Sequence, residues 1–348
     1  MKKIFNCLLL FFFICQYGIA QQDTVRHRVF LIGDAGELIG GKNEVIEWLK
    51  KNVNWDDEKN TAVFLGDNIY PLGLPAESKN PDYTTARDII DYQMSLVKGK
   101  KSKAYFIMGN HDWKNGKIGG LQHATNQVDH INSQLQENII AQPSGGCPGP
   151  VIYQLDSLAV LVLMDSQWFL HTHDKPGPGS TCDAKTEGDF ESILTEVVEA
   201  RKNQLLILAM HHPIQTIGVH GGATYKLRHH IFPLAEAVPG LYIPLPGIGS
   251  IYPIARGLFG NIQDVNHPAY RRMANMIDDV LHEHPNTIVA SGHDHSLQLL
   301  SDVHRDDTIN RMVQIVSGSG AKKTALSNKV RHNKYTIYAE SNKGFAVV

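Results

Sequence analysis

With 348 residues, 42% of them hydrophobic and 20% charged, the sequence carries enough apolar material for a sizeable core and lies in the range of one large or two modest domains. A formal net charge of −2 provides no cationic surface for a polyanion, which argues against nucleic-acid binding by bulk charge.

The first residues read as an export signal. Lys2-Lys3 precede the apolar block Leu8 to Ile14, and Gly18-Ile19-Ala20 supplies small residues for a signal peptidase, so cleavage is expected after Ala20. The competing reading is a membrane anchor, but the block falls short of the roughly 20 residues a spanning helix needs. Residues 1–20 are therefore expected to be a leader, and the mature chain to be periplasmic, cell-surface or secreted, without a stable membrane span. Cys7 and Cys15 leave with the leader. The remaining Cys147 and Cys182 sit in Gly- and Pro-rich loops, where an oxidising compartment permits one disulfide; two free thiols are the alternative.

Arg28 to Ile32 is a predicted strand running into Gly33-Asp34-Ala35-Gly36, whose glycines let the Asp34 carboxylate project from the strand end. A helix over Lys42 to Val53 follows, then the strand Ala62 to Leu65, which stops at Gly66-Asp67-Asn68-Ile69-Tyr70. This βαβ unit favours a parallel sheet, and oxygen ligands just past a strand's carboxyl end stand where open α/β sheets hold ligands. Gly-Asp-Asn is also ordinary turn chemistry. After a Pro-rich loop and a helix over Thr84 to Val97, the strand Ala104 to Met108 ends in Gly109-Asn110-His111-Asp112. Turns use Gly, Asn and Asp but have no use for His111, so the repetition points beyond turns.

Val151 to Leu155 and Leu158 to Met164 read as a hairpin, followed by a helix over Glu187 to Lys202. The strand Leu205 to Ala209 then delivers Met210-His211-His212-Pro213, with His220 nine residues beyond His211. From Pro239 to Pro268 no period is visible, yet the aromatic and aliphatic content suggests an ordered insertion, a lid or pocket wall. A helix over Ala269 to Glu283 precedes the strand Thr287 to Ala290, which ends at Gly292-His293-Asp294-His295. Leu297 to Leu300, Met312 to Val316 and Tyr335 to Tyr338 read as antiparallel finishing strands. The apolar run Gly344 to Val348 is either a sheet's last strand or the edge of something further.

Carboxylate, carboxamide, phenol and imidazole suit first-row transition metals, and no thiolate competes for a softer ion. The ligand types suffice for two ions bridged by Asp67, the central carboxylate. Two ions about 3.5 to 4 Å apart clamp the attacking and leaving oxygens of an in-line displacement and acidify a bound water, which suits phosphate ester hydrolysis. A lone histidine such as His220 is more often a packed or surface residue, whereas His293-Asp294-His295 after a glycine and a strand is a stronger signal. Asp112 and Asp294 either orient neighbouring histidines or cap turns. His171, His173, His229 and His230 fall outside the pattern and are expected to be non-functional.

Together these pieces resemble the calcineurin-like metallophosphoesterases, and within them the purple acid phosphatases, especially the small mammalian type. All five strand-end motifs stand in that family's order. The wider superfamily has a histidine where Gly36 stands; purple acid phosphatases make the same change and supply a tyrosine in the second motif, which Tyr70 matches. The resemblance implies a single four-layer α/β/β/α sandwich with two mixed sheets over residues 21–348, interrupted at about 239–268. It implies one ion, Fe(III), on Asp34, Asp67, Tyr70 and His295, and a second, Fe(II), Zn or Mn, on Asp67, Asn110, His211 and His293. His111 and His220 would bind phosphate or protonate the departing alkoxide. The expected function is hydrolysis of phosphate monoesters of small substrates at acidic pH by attack of a metal-bound water. A phosphodiesterase or nucleotidase on the same scaffold, or a non-catalytic phosphate-binding module, are the alternatives.

Overall fold

The computed structural model describes residues 25–76, 81–134, 136–221, 231, 243–245, 261–281, 284, 286–301, 312–326 and 335–348. The expected leader, most of the expected insertion at 239–268, and His229 and His230 lie outside the described residues.

The first half builds one sheet. β1 (Arg28–Ile32), β2 (Asn60–Leu65), β3 (Lys103–Ile107) and β4 (Ile139–Ala141) pair in parallel in that order, and β12 (Ala346–Val347) closes the near edge antiparallel to β1. The crossovers are α1 (Glu44–Asn52), α2 (Tyr83–Met94) and α3 (Gly120–Asn132). Local chemistry starts α1 where it does: the Asn43 side chain accepts the Ile46 N–H, Glu44 and Glu47 sit at its positive end, and Lys50 and Lys51 at its negative end. The helices predicted over Lys42 to Val53 and Thr84 to Val97 are thus present but shorter. α3 and β4 were not anticipated.

The second sheet is built from β5 (Val151–Gln154), β6 (Ala159–Leu163), β7 (Leu205–Ala209), β8 (Thr287–Ser291), β9 (Leu297–Ser301), β10 (Val313–Ser317) and β11 (Thr336–Glu340), in the order β11-β9-β10-β8-β7-β6-β5. β6, β7, β8 and β10 run parallel, while β5, β9 and β11 are antiparallel to their neighbours. The hairpin and the finishing strands therefore form as predicted, except that β10 also lies parallel to β8. The terminal run is an edge strand, but of the first sheet. A four-residue helix α4 (Gln167–Leu170) follows β6; α5 (Glu187–Glu199) starts with a Thr186/Asp189 capping box, and α6 (Pro268–Leu281) precedes β8.

Strict alternation along the buried strands sorts side chains into three layers. Phe30, Ile32, Phe64 and Phe106 face the first helical layer, with Phe64 and Phe106 stacked at 4.3 Å. Val29, Leu31, Val63, Leu65 and Ile107 face the other way, meeting Leu161, Leu163, Ile207 and Ala209 of the second sheet. Val160, Val162, Leu206 and Leu208 then pack on α5 and α6. This is a helix, sheet, sheet, helix sandwich. Because both faces are covered at the centre of the sandwich, β1, β2, β3, β6 and β7 read as near-continuous apolar runs, whereas the edge strand β11 is half exposed. Each such side chain contributes roughly 1.5–3 kcal/mol of burial. Cys147 and Cys182 are disulfide-bonded with a Cα separation of 5.6 Å, tying the loop after β4 to the loop after α4.

Candidate metal centre

The parallel register of β1, β2 and β3 brings their carboxyl ends to one level, so Asp34, Asp67 and Asn110 leave the first sheet side by side. β7 and β8 do the same in the second sheet, delivering His211 and His293 across the seam. Close approach depends on glycine. A Cβ on Gly66, at φ +87°, would lie 2.7 Å from both the Gly109 nitrogen and His211 Nδ1, and one on Gly109 would run into the Asp67 carboxylate. Asp34, Asp67 and His293 themselves hold φ of 58°, 52° and 70°, a left-handed conformation that costs a non-glycine residue about 1 kcal/mol or more and clusters at functional sites.

The nine predicted residues fall into one neighbourhood. On one side the Tyr70 hydroxyl donates to Asp34 Oδ1 at 2.9 Å and lies 3.0 Å from His295 Nε2. On the other, Asn110 Oδ1 lies 3.0 Å from His211 Nε2 and 3.1 Å from His293 Nδ1. Between them stands Asp67, with Oδ1 3.4 Å from His211 Nε2. Ligand atoms of Asp34, Asp67 and His211 all lie within 4.8 Å of one another, and so do those of His211, His212 and His293.

Proton accounting shows what this cluster lacks. His211 Nδ1–H donates to the Leu65 carbonyl at 2.8 Å, and His293 Nε2–H donates to the Gln263 carbonyl at 2.8 Å. Both rings therefore turn a lone pair towards Asn110 when neutral. The Asn110 amide nitrogen is committed to Asn115 Oδ1 at 3.2 Å, which leaves its oxygen facing those lone pairs. Three acceptors converging in a buried place call for a positive charge among them, either a metal ion or a proton on His211, whose imidazole burial would lower but the Asp67 and Asp34 carboxylates raise. Carboxylate, amide oxygen and imidazole are the donors a first-row transition metal takes, so the residues fit the group.

Electrostatics agree. Burial, then the Asp34 and Asp67 carboxylates, push the Tyr70 phenol well above its usual range, so it keeps its proton until a cation replaces it. Burial would raise Asp67, but the His211 and His111 imidazoles outweigh it and hold the carboxyl low. Burial and neighbouring imidazoles keep His293 and His212 well below the ordinary histidine range. His212 has both nitrogens engaged, Nδ1 with Ser166 Oγ at 2.8 Å and Nε2 with Gln263 Oε1 at 2.6 Å, which leaves His211 as the free ligand type.

His111 and His220 flank the cluster, each with Nδ1 tied back. His111 Nδ1–H donates to the Pro71 carbonyl at 2.6 Å, and its Nε2 is 3.9 Å from Asp67 Oδ2. His220 Nδ1–H donates to Asp264 Oδ1 at 2.9 Å, and its ring lies 3.9 Å from that of His293. Asp264 and Gln263 escaped the sequence reading because they lie in the stretch without a period; Asn115 carried only a turn signal, Asn-Gly. Of the two readings for Asp112 and Asp294, neither carboxylate bonds a histidine ring. Asp112 accepts the N–H groups of Asn68, Ile69 and Gly109, and Asp294 accepts the His220 N–H and the Thr216 hydroxyl. His171 is buried with neither ring nitrogen hydrogen-bonded, outside the cluster.

The model of the calcineurin-like phosphoesterase family matches residues 27–297. No curated protein matches the sequence significantly. Among solved structures, GAP50, the anchor in the inner membrane complex of Plasmodium, superposes with a TM-score of 0.54 at 15% identity, over 92% of this chain and 80% of that one. The purple acid phosphatase PPD1 of yellow lupin (Lupinus luteus) gives 0.52 at 12% identity, over 92% and 48%. PhoD gives 0.56 at 10% identity, over 92% and 63%. At these identities the likeness is one of fold. No helix among the described residues is long and apolar enough to cross a membrane.

Proposed function

Because the chain belongs to the calcineurin-like phosphoesterase family, we propose that it is an exported, metal-dependent acid phosphatase hydrolysing phosphate monoesters at a dinuclear centre. What carries the reading is the meeting of Asn110 Oδ1 with the lone pairs of His211 Nε2 and His293 Nδ1, a place built for a cation. Asp34, Asp67, Tyr70 and His295 would hold Fe(III), and Asp67, Asn110, His211 and His293 would hold Fe(II), Zn or Mn. When bound, such ions supply Lewis acidity to a phosphoryl oxygen and to the attacking water.

The chain's own groups do the rest. The Gly66 and Gly109 turns keep Asp67 between the two halves of the cluster. With Nδ1 anchored on Pro71, His111 offers Nε2 to a phosphate oxygen. His220, anchored on Asp264, offers Nε2 as the atom that binds phosphate or hands a proton to the departing alkoxide. Asp294 fixes the His220 backbone. A second reading, a phosphate-holding module without turnover, draws on the fold-level likeness to a protein described as an anchor. A binder has no need of two anchored proton donors, which favours the enzyme.

Metal analysis of the purified mature protein, joined to a panel of phosphate mono- and diesters across pH, tests the proposal. Two equivalents of metal, a visible absorption band from Tyr70 on ferric iron, and faster monoester turnover below pH 7 are expected. A metal-free protein inert towards every ester would overturn it.

A further inference from the structure

Beside Tyr70 the surface opens into a cleft of about 690 Å³ that the chemistry above does not use. Its inner wall is Tyr70 itself, with Pro71, the residue whose carbonyl anchors His111; its outer wall is α2, which contributes Ile89 and Tyr92. A volume of this size suits a small organic group. One end therefore touches the residue joined to Asp34 and His295, and the other runs along α2 past Ile89 and Tyr92, with Thr85 and Asp88 beside them.

Lys322 lines the cleft at its Tyr70 end. Its ammonium lies 3.5 Å from the centre of the Tyr70 ring, a cation–π contact that holds the charge one ring's width from the candidate metal centre. Its carboxylate neighbour, Glu37, is 3.8 Å away, beyond hydrogen-bonding distance, and both side chains are partly in solvent. The other lining carboxylate, Asp88, is already paired with Arg87 at 3.2 Å. Lys322 is thus a positioned cation with a loose partner that a better anion displaces.

We propose that this cleft receives the alcohol portion of the substrate, and that Lys322 selects alcohols carrying a second anionic group, a carboxylate or another phosphate. The proposal rests on the phosphatase reading and deepens it by naming a substrate class. The leaving group lies against Tyr70, Ile89 and Tyr92 with its second anion on Lys322, while Glu37 competes for the same cation; on this side the proton donor is His111, whose ring lies 4.6 Å from that of Tyr70, and His220 is left to bind phosphate.

Matched aryl phosphates test this: phenyl phosphate, 4-carboxyphenyl phosphate and 4-(aminomethyl)phenyl phosphate differ in the para substituent and its charge, and their intrinsic reactivity differences cancel when a ratio is compared between wild type and variant. The readout is the ratio of kcat/KM for the carboxylated over the plain ester, which cancels any general loss of activity. Lys322→Ala should lower it about fivefold and Lys322→Glu by more than about tenfold, with a gain for the aminomethyl ester, because an exposed charge pair is worth up to ~1 kcal/mol. Glu37→Gln should raise it. Ratios within about 1.5-fold of the wild type for both Lys322 variants, on the scale of such pairs, would overturn the proposal. Should the wild type hydrolyse none of the esters, the hydrolase reading fails. The cleft is then judged on the calorimetric Kd ratio of phenylphosphonate and 4-carboxyphenylphosphonate for metal-loaded wild type and Lys322→Glu, where an unchanged ratio is the negative result.

Discussion

Asp112→Asn should destabilise the protein severely, although the two side chains have nearly the same shape. Asp112 is fully buried, and its carboxylate gathers the turns that follow β2 and β3. Oδ1 accepts the Asn68 and Ile69 N–H groups at 3.0 and 3.1 Å; Oδ2 accepts the Gly109 N–H at 2.8 Å and the Asn68 side-chain amide at 3.2 Å. An asparagine keeps one oxygen and turns its NH₂ on the donors of the other. With the NH₂ in place of Oδ2, the Gly109 N–H and the Asn68 amide lose their acceptor; in place of Oδ1, the Ile69 N–H loses its acceptor and the Asn68 N–H, which also reaches Oδ2 at 3.2 Å, keeps only that longer bond. At ~1–3 kcal/mol per buried unsatisfied donor, less what is recovered by not burying a charge, the cheaper orientation costs about 1.5–3 kcal/mol. For a chain of this size that lowers Tm by about 3–7 °C. Burial, then the Asp67 charge, push Asp112 up to about 7, so the comparison belongs at pH 8, where the wild-type group is ionised. Thermal unfolding followed by circular dichroism on the oxidised, metal-loaded protein reads the shift. A Tm within 2 °C of the wild type, well inside the scatter expected of surface substitutions, would refute the donor count.

Other outcomes follow from the same structure. His111→Ala should cut kcat by about 10²–10⁴ while leaving metal content nearly intact, and unchanged turnover would remove its assigned role. Replacing Cys147 and Cys182 by serine frees a loop with a sequence separation of 35, which costs about 4 kcal/mol by loop-closure entropy; an unshifted urea midpoint would contradict that. His171 is buried and its imidazole is pushed down to about 4 by burial and then by His173 and Lys175. The unfolded chain takes up that proton near pH 6.5, so the stability it contributes is whole above about pH 6.5 and falls as pH drops towards 4, by about 3 kcal/mol. His171→Phe should flatten the Tm profile across that window, and an equally steep profile in the variant would place the acid sensitivity elsewhere.

The strand-end motifs were legible because each combines an apolar run, a glycine and a polar group that a turn alone does not call for, as His111 and His293 show. The parallel pairing of β1 with β2 followed from the βαβ unit, whereas the full strand order of the first sheet was not read. α3 was harder to see: Leu121, Ala124, Val128 and Ile131 do recur at helical spacing, but histidine, asparagine and glutamine dilute them, and Gly119 offers no side-chain cap. Asp264 could not be read at all, since its partner His220 lies 44 residues away and only tertiary packing joins them. Asp112 could be read two ways, and the capping reading prevails because backbone donors surround its carboxylate on both oxygens.

The pairing of β12 with β1 shapes how the molecule is made. Val29 and Val348 exchange N–H···O bonds at 2.9 and 3.0 Å, and Phe345 packs against Phe30 and Trp48. A nascent chain still on the ribosome has made β1, with its row of N–H and C=O groups, long before its antiparallel neighbour emerges. Until then an adhesive border stands open beside bare aromatic rings, inviting strand addition from another molecule. Synthesis should therefore pass through a stage that leans on chaperones, and truncations ahead of Ala346 should aggregate while their helices still form.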